Sequence, residues 1–468
     1  MKKSLVLGAA ALATLMMAAP QQVKAGEVKL GGYYMFRMQD SDATVAKEAA
    51  NTDTLRAWHH RVQLNMDMIQ DKTTHAHMVV RALDSSVVQG ADTQLGVTGG
   101  SSGVGFGSST ASSNDWSIRK AWLETEAWGV GLKVGHMPIA LNDNILVNND
   151  DTGFGAVMLS KTFGDVTAVL ANVKINEGNV GASSSINYLT GATTIATGAS
   201  AGSGTLGAND DDIDLYVLAL LGKVGGVNYG VTGAYLDGNQ DGALVAAAGT
   251  TGTNVSDGWL ALTLNSVLGG VDVTGTVVYE TGMNGVLAAA TQLDNSGALG
   301  ALRLKGDLPG MAKGSSWNAY GMYSSEDFTP ITGRNPVWSK TWDLGGPGAQ
   351  DLMRTWAAAA GATPESNIWA VGAGLTFVPA PNWTINPMLD YAKVVEDDVA
   401  NDKVKDNVTS SAWGGGVEVA TMLNPATRLA VTGLYVSPND NGTATNAASG
   451  VATSDKMHVI EATLKMNF

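Results

Sequence analysis

WHHRVQLNMDM, residues 58–68, decides the fold. Trp58, Val62, Leu64, Met66 and Met68 alternate with His59, Arg61, Gln63, Asn65 and Asp67; only His60, near the strand end, breaks the apolar row. Successive side chains of a strand point to opposite faces, so this segment carries one apolar wall and one polar wall. The flanking segments repeat the pattern. In 27–39, Val28, Leu30, Gly32, Tyr34, Phe36 and Met38 oppose Glu27, Lys29, Tyr33, Arg37 and Gln39. From residue 75 onward, Ala76, Met78, Val80 and Ala82 oppose His75, His77 and Arg81. A soluble antiparallel sheet alternates in the same way, so the pattern needs a second observation to say what the apolar wall faces.

That observation is rhythm. Period-two segments recur at 166–176, 212–222, 227–236, 258–266, 271–281, 298–306, 315–325, 367–378, 383–395, 412–422, 428–436 and 456–468. Short connectors with turn residues, such as Phe163-Gly164-Asp165, Gly225-Gly226, Gly269-Gly270 and Asn424-Pro425-Ala426, alternate with long ones near 40–55, 84–115, 177–210, 237–257, 282–297, 327–366, 396–411 and 438–455. Short turns on one side and long loops on the other mark a transmembrane β-barrel. The pattern predicts an all-β antiparallel transmembrane barrel of about 18 strands with both termini on the periplasmic side; 129–137 and 154–162 are the weakest segments, so 16 strands stays open. A barrel of that size encloses an aqueous channel. Slipping 58–68 by one residue would put Arg61 and Asp67 in hydrocarbon, and a midplane Arg alone costs about 2–4 kcal/mol. The apolar wall is therefore outside and the polar wall encloses water. Tyr34, Trp58, Trp116, Trp259, Tyr279, Trp317, Tyr323, Trp383, Tyr391, Trp413 and Tyr435 fall mostly near strand ends, as interfacial girdles require.

The start of the chain agrees. Lys2 and Lys3 precede an apolar run from Leu5 to Ala19, and Val23-Lys24-Ala25 offers small residues before a cleavage point. This is the layout of a secretory signal peptide cut between Ala25 and Gly26; the run is too short for a spanning helix, which needs about 20 apolar residues. Residues 26–468 read as a single barrel domain. The net charge is −15, and losing Lys2, Lys3 and Lys24 makes the mature chain −18, which repels polyphosphate and argues against a nucleic-acid partner. There is no cysteine, which excludes disulfides, zinc–thiolate sites and thiol catalysis.

The segment IRKAWLETEAWGVGLKVGHMPIALNDN, residues 118–144, resembles the Gram-negative general porins. Arg119, Ala121, Trp122, Gly129, Gly131, Val134 and Gly135 stand where that family's Arg-x-Ala-aromatic strand, glycine turn and glycine-rich strand place them. His136 departs from the pattern, since many porins carry Arg there. The closing strand VIEATLKMNF, ending at Phe468, resembles the terminal signature that the barrel-assembly machinery reads. The resemblance implies a water-filled outer-membrane channel for ions and small hydrophilic solutes, set in lipid and lipopolysaccharide. It also implies a homotrimer packed through the outward small or flat residues of strands 1–5. It implies further that the third external loop, 138–153, folds into the barrel with Asp143, Asp150 and Asp151 facing basic wall residues. Strand phase independently turns Arg37, Arg61 and Arg81 inward, and Arg119 joins them in the constriction set with His136.

Other sites are weaker. His75 and His77 share one strand face, yet no carboxylate close in sequence completes a ligand set, and zinc wants four ligands. No nucleophile with a base and orienter can be located, so no enzyme activity and no cofactor are expected. GGSSGVGFGSS at 99–109 reads as an external loop. Asp210-Asp211-Asp212 with Asp214, Glu396-Asp397-Asp398, and Asp402 with Asp406 suit solvated external loops; the functional alternative is that they hold divalent cations loosely, bridging to lipopolysaccharide. Residues 348–360 suit a short helix. Two alternatives to a diffusion channel stay open: a substrate-selective channel of the same fold, and a structural or adhesive barrel without a pore.

Overall fold

The structure is a computed structural model. It describes residues 26–41, 55–88, 117–148, 153–176, 184–187, 192–195, 213–240, 253–281, 285–287, 291–293, 296–325, 328, 331, 353, 367–395, 411–439 and 456–468. Outside them lie the signal-peptide reading, the 99–109 loop, Asp150, Asp151 and every residue of the acidic clusters except Asp214; of 348–360 only Met353 is described, and it is buried.

Eighteen strands form one sheet: β1 Glu27–Ser41, β2 Leu55–Ile69, β3 His75–Val88, β4 Ser117–Ala127, β5 Val130–Met137, β6 Phe154–Phe163, β7 Val166–Asn176, β8 Ile213–Val224, β9 Val227–Gln240, β10 Thr253–Leu268, β11 Val271–Glu280, β12 Ala298–Asp307, β13 Ser316–Ser324, β14 Ile368–Ala380, β15 Trp383–Val394, β16 Ser411–Asn424, β17 Thr427–Pro438 and β18 Met457–Asn467. Each is antiparallel to the next, and β1 also pairs with β18, from Tyr33↔Asn467 to Ser41↔Val459. The barrel is closed and has 18 strands; the two weakest segments are β5 and β6. Short ribbons, 140–141 with 147–148, 184–187 with 192–195 and 285–287 with 291–293, form separate two-stranded pairings outside the eighteen-stranded sheet.

The turns follow from glycine. Trp128-Gly129, Gly225-Gly226 and Gly269-Gly270 all have positive φ at both positions. Those two-residue turns match the twist of the strands they join. At the closing seam, the Gly32 N–H donates to the Phe468 carbonyl at 3.0 Å and the Phe468 N–H donates back at 3.1 Å. A Cβ on Gly32 would overlap the Gln63 carbonyl oxygen and press on the Phe468 ring, so only glycine fits beneath the terminal residue.

Phase behaves as the alternation requires. Val28, Leu30 and Met38 are exposed on the outer wall, while Arg37, Gln39, Arg61 and Arg81 are buried on the inner one. At the outer ends of the strands, Tyr216, Tyr235, Tyr279, Tyr323, Trp369, Tyr391, Trp413 and Tyr435 face outward on β8, β9, β11 and β13 through β17. Trp317 and Trp383 open β13 and β15 at the other end. Trp259 does not belong to the girdle. It shares the inner face with Asp257 and Ala261 and is buried, because the outward row of β10 is Leu260, Leu262 and Leu264.

The inner wall differs from the uniformly polar surface the sequence suggests. In the outer half of the barrel it carries small and apolar residues, among them Ala171, Val173, Leu215, Val217, Leu236, Val278 and Leu299, all buried. Loop residues Ile139, Ile145, Leu146, Val147, Phe328 and Ile331 join the same cluster. Inward-folded loops need an apolar seat, since burying each such side chain contributes about 1.5–3 kcal/mol.

Candidate functional site: the barrel interior

Arg37, Arg61 and Arg81 stand on the inner faces of β1, β2 and β3, only 2%, 7% and 3% exposed, so they are packed rather than loosely solvated. Arg37 Nε lies 3.3 Å from Glu461 Oε2 across the β1–β18 seam, and Thr463 Oγ1 donates to Glu461 Oε1 at 2.7 Å. Arg81 donates to Gln63 Oε1 through Nη2 at 3.0 Å and Nε at 3.3 Å. The Tyr33 hydroxyl donates to the same oxygen at 3.2 Å.

A second basic feature lies across β17, β18, β1 and β2. Arg428 on β17 is register partner of Lys465 on β18, Lys465 of Met35 on β1, and Met35 of Arg61 on β2. Three cations thus share one row across four strands. Lys465 Nζ sits 4.3 Å above the Tyr33 ring, and Arg428 is 2.7 Å from Glu418, which also accepts from Asn386 at 3.0 Å. On β15, buried Asp390 accepts from the Tyr320 hydroxyl at 2.7 Å; Gly372 makes the space, since a Cβ there would overlap both side chains.

Arg119 and His136 depart from the arginine set. The β3–β4 register passes from Val79↔Lys120 to Val80↔Ile118, so Arg119 occupies a β-bulge. His136 pairs with Ala121 and Gly155, in the outward rows of Leu123 and Val157. It therefore belongs to the outer wall and is exposed there. Strand parity places it with Leu132 and Val134, overriding the porin pattern that suggested the lumen.

The loop after β5 turns into the barrel. Asn142 Nδ2 donates to Thr263 Oγ1 on β10 at 3.2 Å, and Arg303 Nη2 on β12 donates to Asp143 Oδ1 at 3.0 Å. Asn142, Asp143 and Asn144 all adopt left-handed φ, at 54°, 58° and 68°, a region that Asn and Asp tolerate better than other non-glycine residues. The loop carboxylate thus meets Arg303, a partner the sequence reading missed. Burial pushes the Asp143 carboxyl up, and the Arg303 guanidinium opposes that shift. The seated tip therefore binds a proton more tightly than a released tip would. Lowering the pH through the carboxylate range is expected to favour the seated tip. Single-channel conductance should fall or hold between about pH 6 and 4, and a rise would contradict this.

Toward the short-turn end of the barrel, the sheet brings together groups from β2, β3, β4 and β5. His77 Nδ1 is 2.7 Å from Asp67 Oδ1, and its ring stacks on Trp122 at 4.6 Å. Glu124 accepts from Trp122 Nε1 at 2.8 Å and Lys133 Nζ at 2.7 Å. Asp67 and Glu124 thus flank His77, yet among the described residues no group of three side chains is placed to hold a metal ion. Asp214, the described member of the acidic clusters, pairs with Lys174 at 3.0 Å.

No family model and no curated protein matches the sequence. Solved structures do. Pseudomonas aeruginosa OccK11 (OpdR) is 8% identical with a TM-score of 0.53, covering 95% of this chain and 96% of its own. OccK8 (OprE) of the same organism is 12% identical, TM-score 0.52, covering 94% and 98%. OccK2 (OpdF), solved in complex with glucuronate, is 12% identical, TM-score 0.52, with the same coverage. At such identities the likeness speaks for the fold alone, and that fold is the eighteen-stranded barrel of Gram-negative outer-membrane porins.

Proposed function

We propose that the chain is exported with removal of residues 1–25 and works in the outer membrane as a water-filled channel for passive diffusion of ions and small hydrophilic solutes. The observation that carries this is the closed eighteen-stranded wall, apolar outside and charged inside, with one loop seated across its interior. Conductance of the purified protein in planar bilayers tests it. Ohmic, unsaturated conduction supports a diffusion channel, and absence of conductance would leave a structural barrel. No catalytic role belongs to this reading.

The row Arg428, Lys465 and Arg61 favours one second reading, a channel selective for anions. OccK2, which has the same fold, was solved with a carboxylate sugar. Saturable block of conductance by glucuronate would support selectivity here, and block equal to that by a neutral sugar would count against it. Charge at the narrow point dominates either way, because the Debye length of about 8–10 Å spans the gap. Neutralising Arg37, Arg61 and Arg81 together is expected to move the reversal potential in a salt gradient toward cations. Neutralising Asp143, Asp150 and Asp151 is expected to move it toward anions. An unchanged potential in both variants at low ionic strength would remove these residues from the selectivity set.

The same reading includes a homotrimer, contacts with lipid and lipopolysaccharide, divalent cations held loosely at the acidic external loops, and delivery by the barrel-assembly machinery. Deleting Phe468 removes the hydrogen bonds that pin the last residue to Gly32. The truncated chain is expected to reach the periplasm but to accumulate poorly in the outer membrane, as read by fractionation and surface labelling; normal surface levels would refute it.

A further inference from the structure

The outer wall carries an apolar groove of about 550 Å³ between β10 and β14. Three glycines make it. Val277 on β11 is register partner of Gly300 on β12, and Gly300 of Tyr323 on β13. In the adjacent row, Leu264 pairs with Gly275, Gly275 with Leu302, and Leu302 with Gly321. The flanking Leu264, Val277, Leu302 and Val371 are exposed, which fixes this face as the outward one. A Cβ on Gly275 or Gly300 would meet nothing within 4 Å, and one on Gly321 would touch only Val371, at 3.8 Å. The fold therefore has room for side chains that the sequence leaves out. Glycine weakens a strand, and a bulge or the close approach of a ligand are among the reasons a strand keeps one. The registers run unbroken through all three positions, so no bulge accounts for them.

The groove slopes away from the aromatic girdle. Gly321 lies two residues inside Tyr323, and Gly275 four residues inside Tyr279, so the floor deepens from β13 toward β11. Tyr323 and its register partner Trp369 line the shallow end, at the level where such rings meet lipid headgroups. From there β13 leads into the long connector 327–366, so the shallow end belongs to the external leaflet. Lys393 on β15 is also register partner of Trp369, and it stands two residues outside the girdle ring of Tyr391. It is half-buried on the same outward face. A lysine at the surface of an anionic leaflet attracts its headgroups. A cation at headgroup level, above a slot that descends between leucine and valine side chains, matches one lipid molecule in polarity and direction. The phosphate belongs at the rim and the chain in the floor, where bare backbone gains the dispersion contacts it otherwise lacks.

We propose that this groove seats one acyl chain of lipopolysaccharide, with a phosphate of its lipid A on Lys393. This rests on the reading of the chain as an outer-membrane channel and names the place where the surrounding lipid is held. Native mass spectrometry of the purified barrel, titrated with phosphorylated lipid A, tests it. The parent should take up one lipid A saturably before any further lipid. Gly300→Leu/Gly321→Leu fills the slot and should bind at least about tenfold more weakly, since two or more methylenes lose their seat. Lys393→Gln should weaken lipid A by about fivefold and leave the binding of a zwitterionic phospholipid unchanged. Gly233→Leu is the control and should keep the parental affinity. Gly233 is another glycine with open space beside it, between outward Leu218 and Leu260 and outside the groove. Gly300→Ala/Gly321→Ala, with a smaller loss, replaces the leucine variant if that one assembles poorly. Parental affinity in the filled variants, or an equal loss in Gly233→Leu, would overturn the site. Zwitterionic phospholipid binding as tightly as lipid A would overturn the occupant, as would an oligomer that falls apart when the groove is filled. Bilayer conductance of the same preparations keeps the two ideas apart. Barrels that hold lipid A without conducting would remove the channel alone, and conducting barrels with no saturable lipid A would remove the groove alone.

Discussion

Reversing the charge at the loop tip, Asp143→Arg, is expected to raise single-channel conductance and its noise, and adding Arg303→Asp is expected to restore both. The tip is fastened to the far wall by the Asp143–Arg303 ion pair at 3.0 Å and by Asn142 on Thr263. The paired side chains are 20% and 34% exposed, so solvent screens them. Exchanging attraction for repulsion in such a site shifts the seated-to-released balance by roughly 1–2 kcal/mol. That is about 5- to 30-fold in population. The hairpin base should stay in place, because Ile145, Leu146 and Val147 are fully buried against the wall. The tip alone swings away and the aperture widens. Recovery in the swapped pair is the decisive reading, since it isolates the coupling between the two positions from the effect of either charge alone. Unaltered conductance in Asp143→Arg would mean that the tip does not border the water path.

The largest loss of stability is expected from Glu461→Ala. Glu461 and Arg37 are paired across the seam with side chains 7% and 3% exposed. Deleting one partner of a buried pair costs about 3–5 kcal/mol, because the other charge keeps its desolvation penalty. The compact form of the barrel on a gel should be lost at a clearly lower temperature in this variant. The apolar double replacement Arg37→Met/Glu461→Leu should fall much closer to the parent, since replacing both members of a buried pair is often nearly neutral. Equal loss in single and double variants would show that the pair itself holds the seam.

How far such features can be read in advance depends on which interaction decides them. The inward turn of Arg37, Arg61 and Arg81 was legible because period two is a local rule and lipid punishes the wrong register. His136 and Trp259 were legible by the same rule, but a family pattern and a residue-type expectation displaced it. Their neighbours Val134 and Leu260 mark the outward row in each case. Arg119 was not legible, since a bulge in β4 changes phase without a distinctive residue. The segment LYVLALL in β8 is apolar on both faces and hides that its inner half is a seat for a loop. The Asp143–Arg303 contact joins residues separated by 160 positions, and only the path of the folded loop relates them. The arginine–lysine row depends likewise on registers of β17, β18, β1 and β2, which no local pattern states.

The pairing of β1 with β18 has a consequence for how the molecule comes into being. Tyr33 and Asn467 are partners, so β1 and β18, more than 400 residues apart in the chain, must find each other. Until they do, every intermediate is an open ribbon with a row of unpaired amides and carbonyls at each margin, the arrangement most prone to intermolecular strand pairing. A topology with so distant a final contact folds slowly, and those margins stay exposed until it closes. The rate-limiting step in forming this protein is expected to be the meeting of its two ends, and holding those margins apart from other chains is the task its biogenesis must solve.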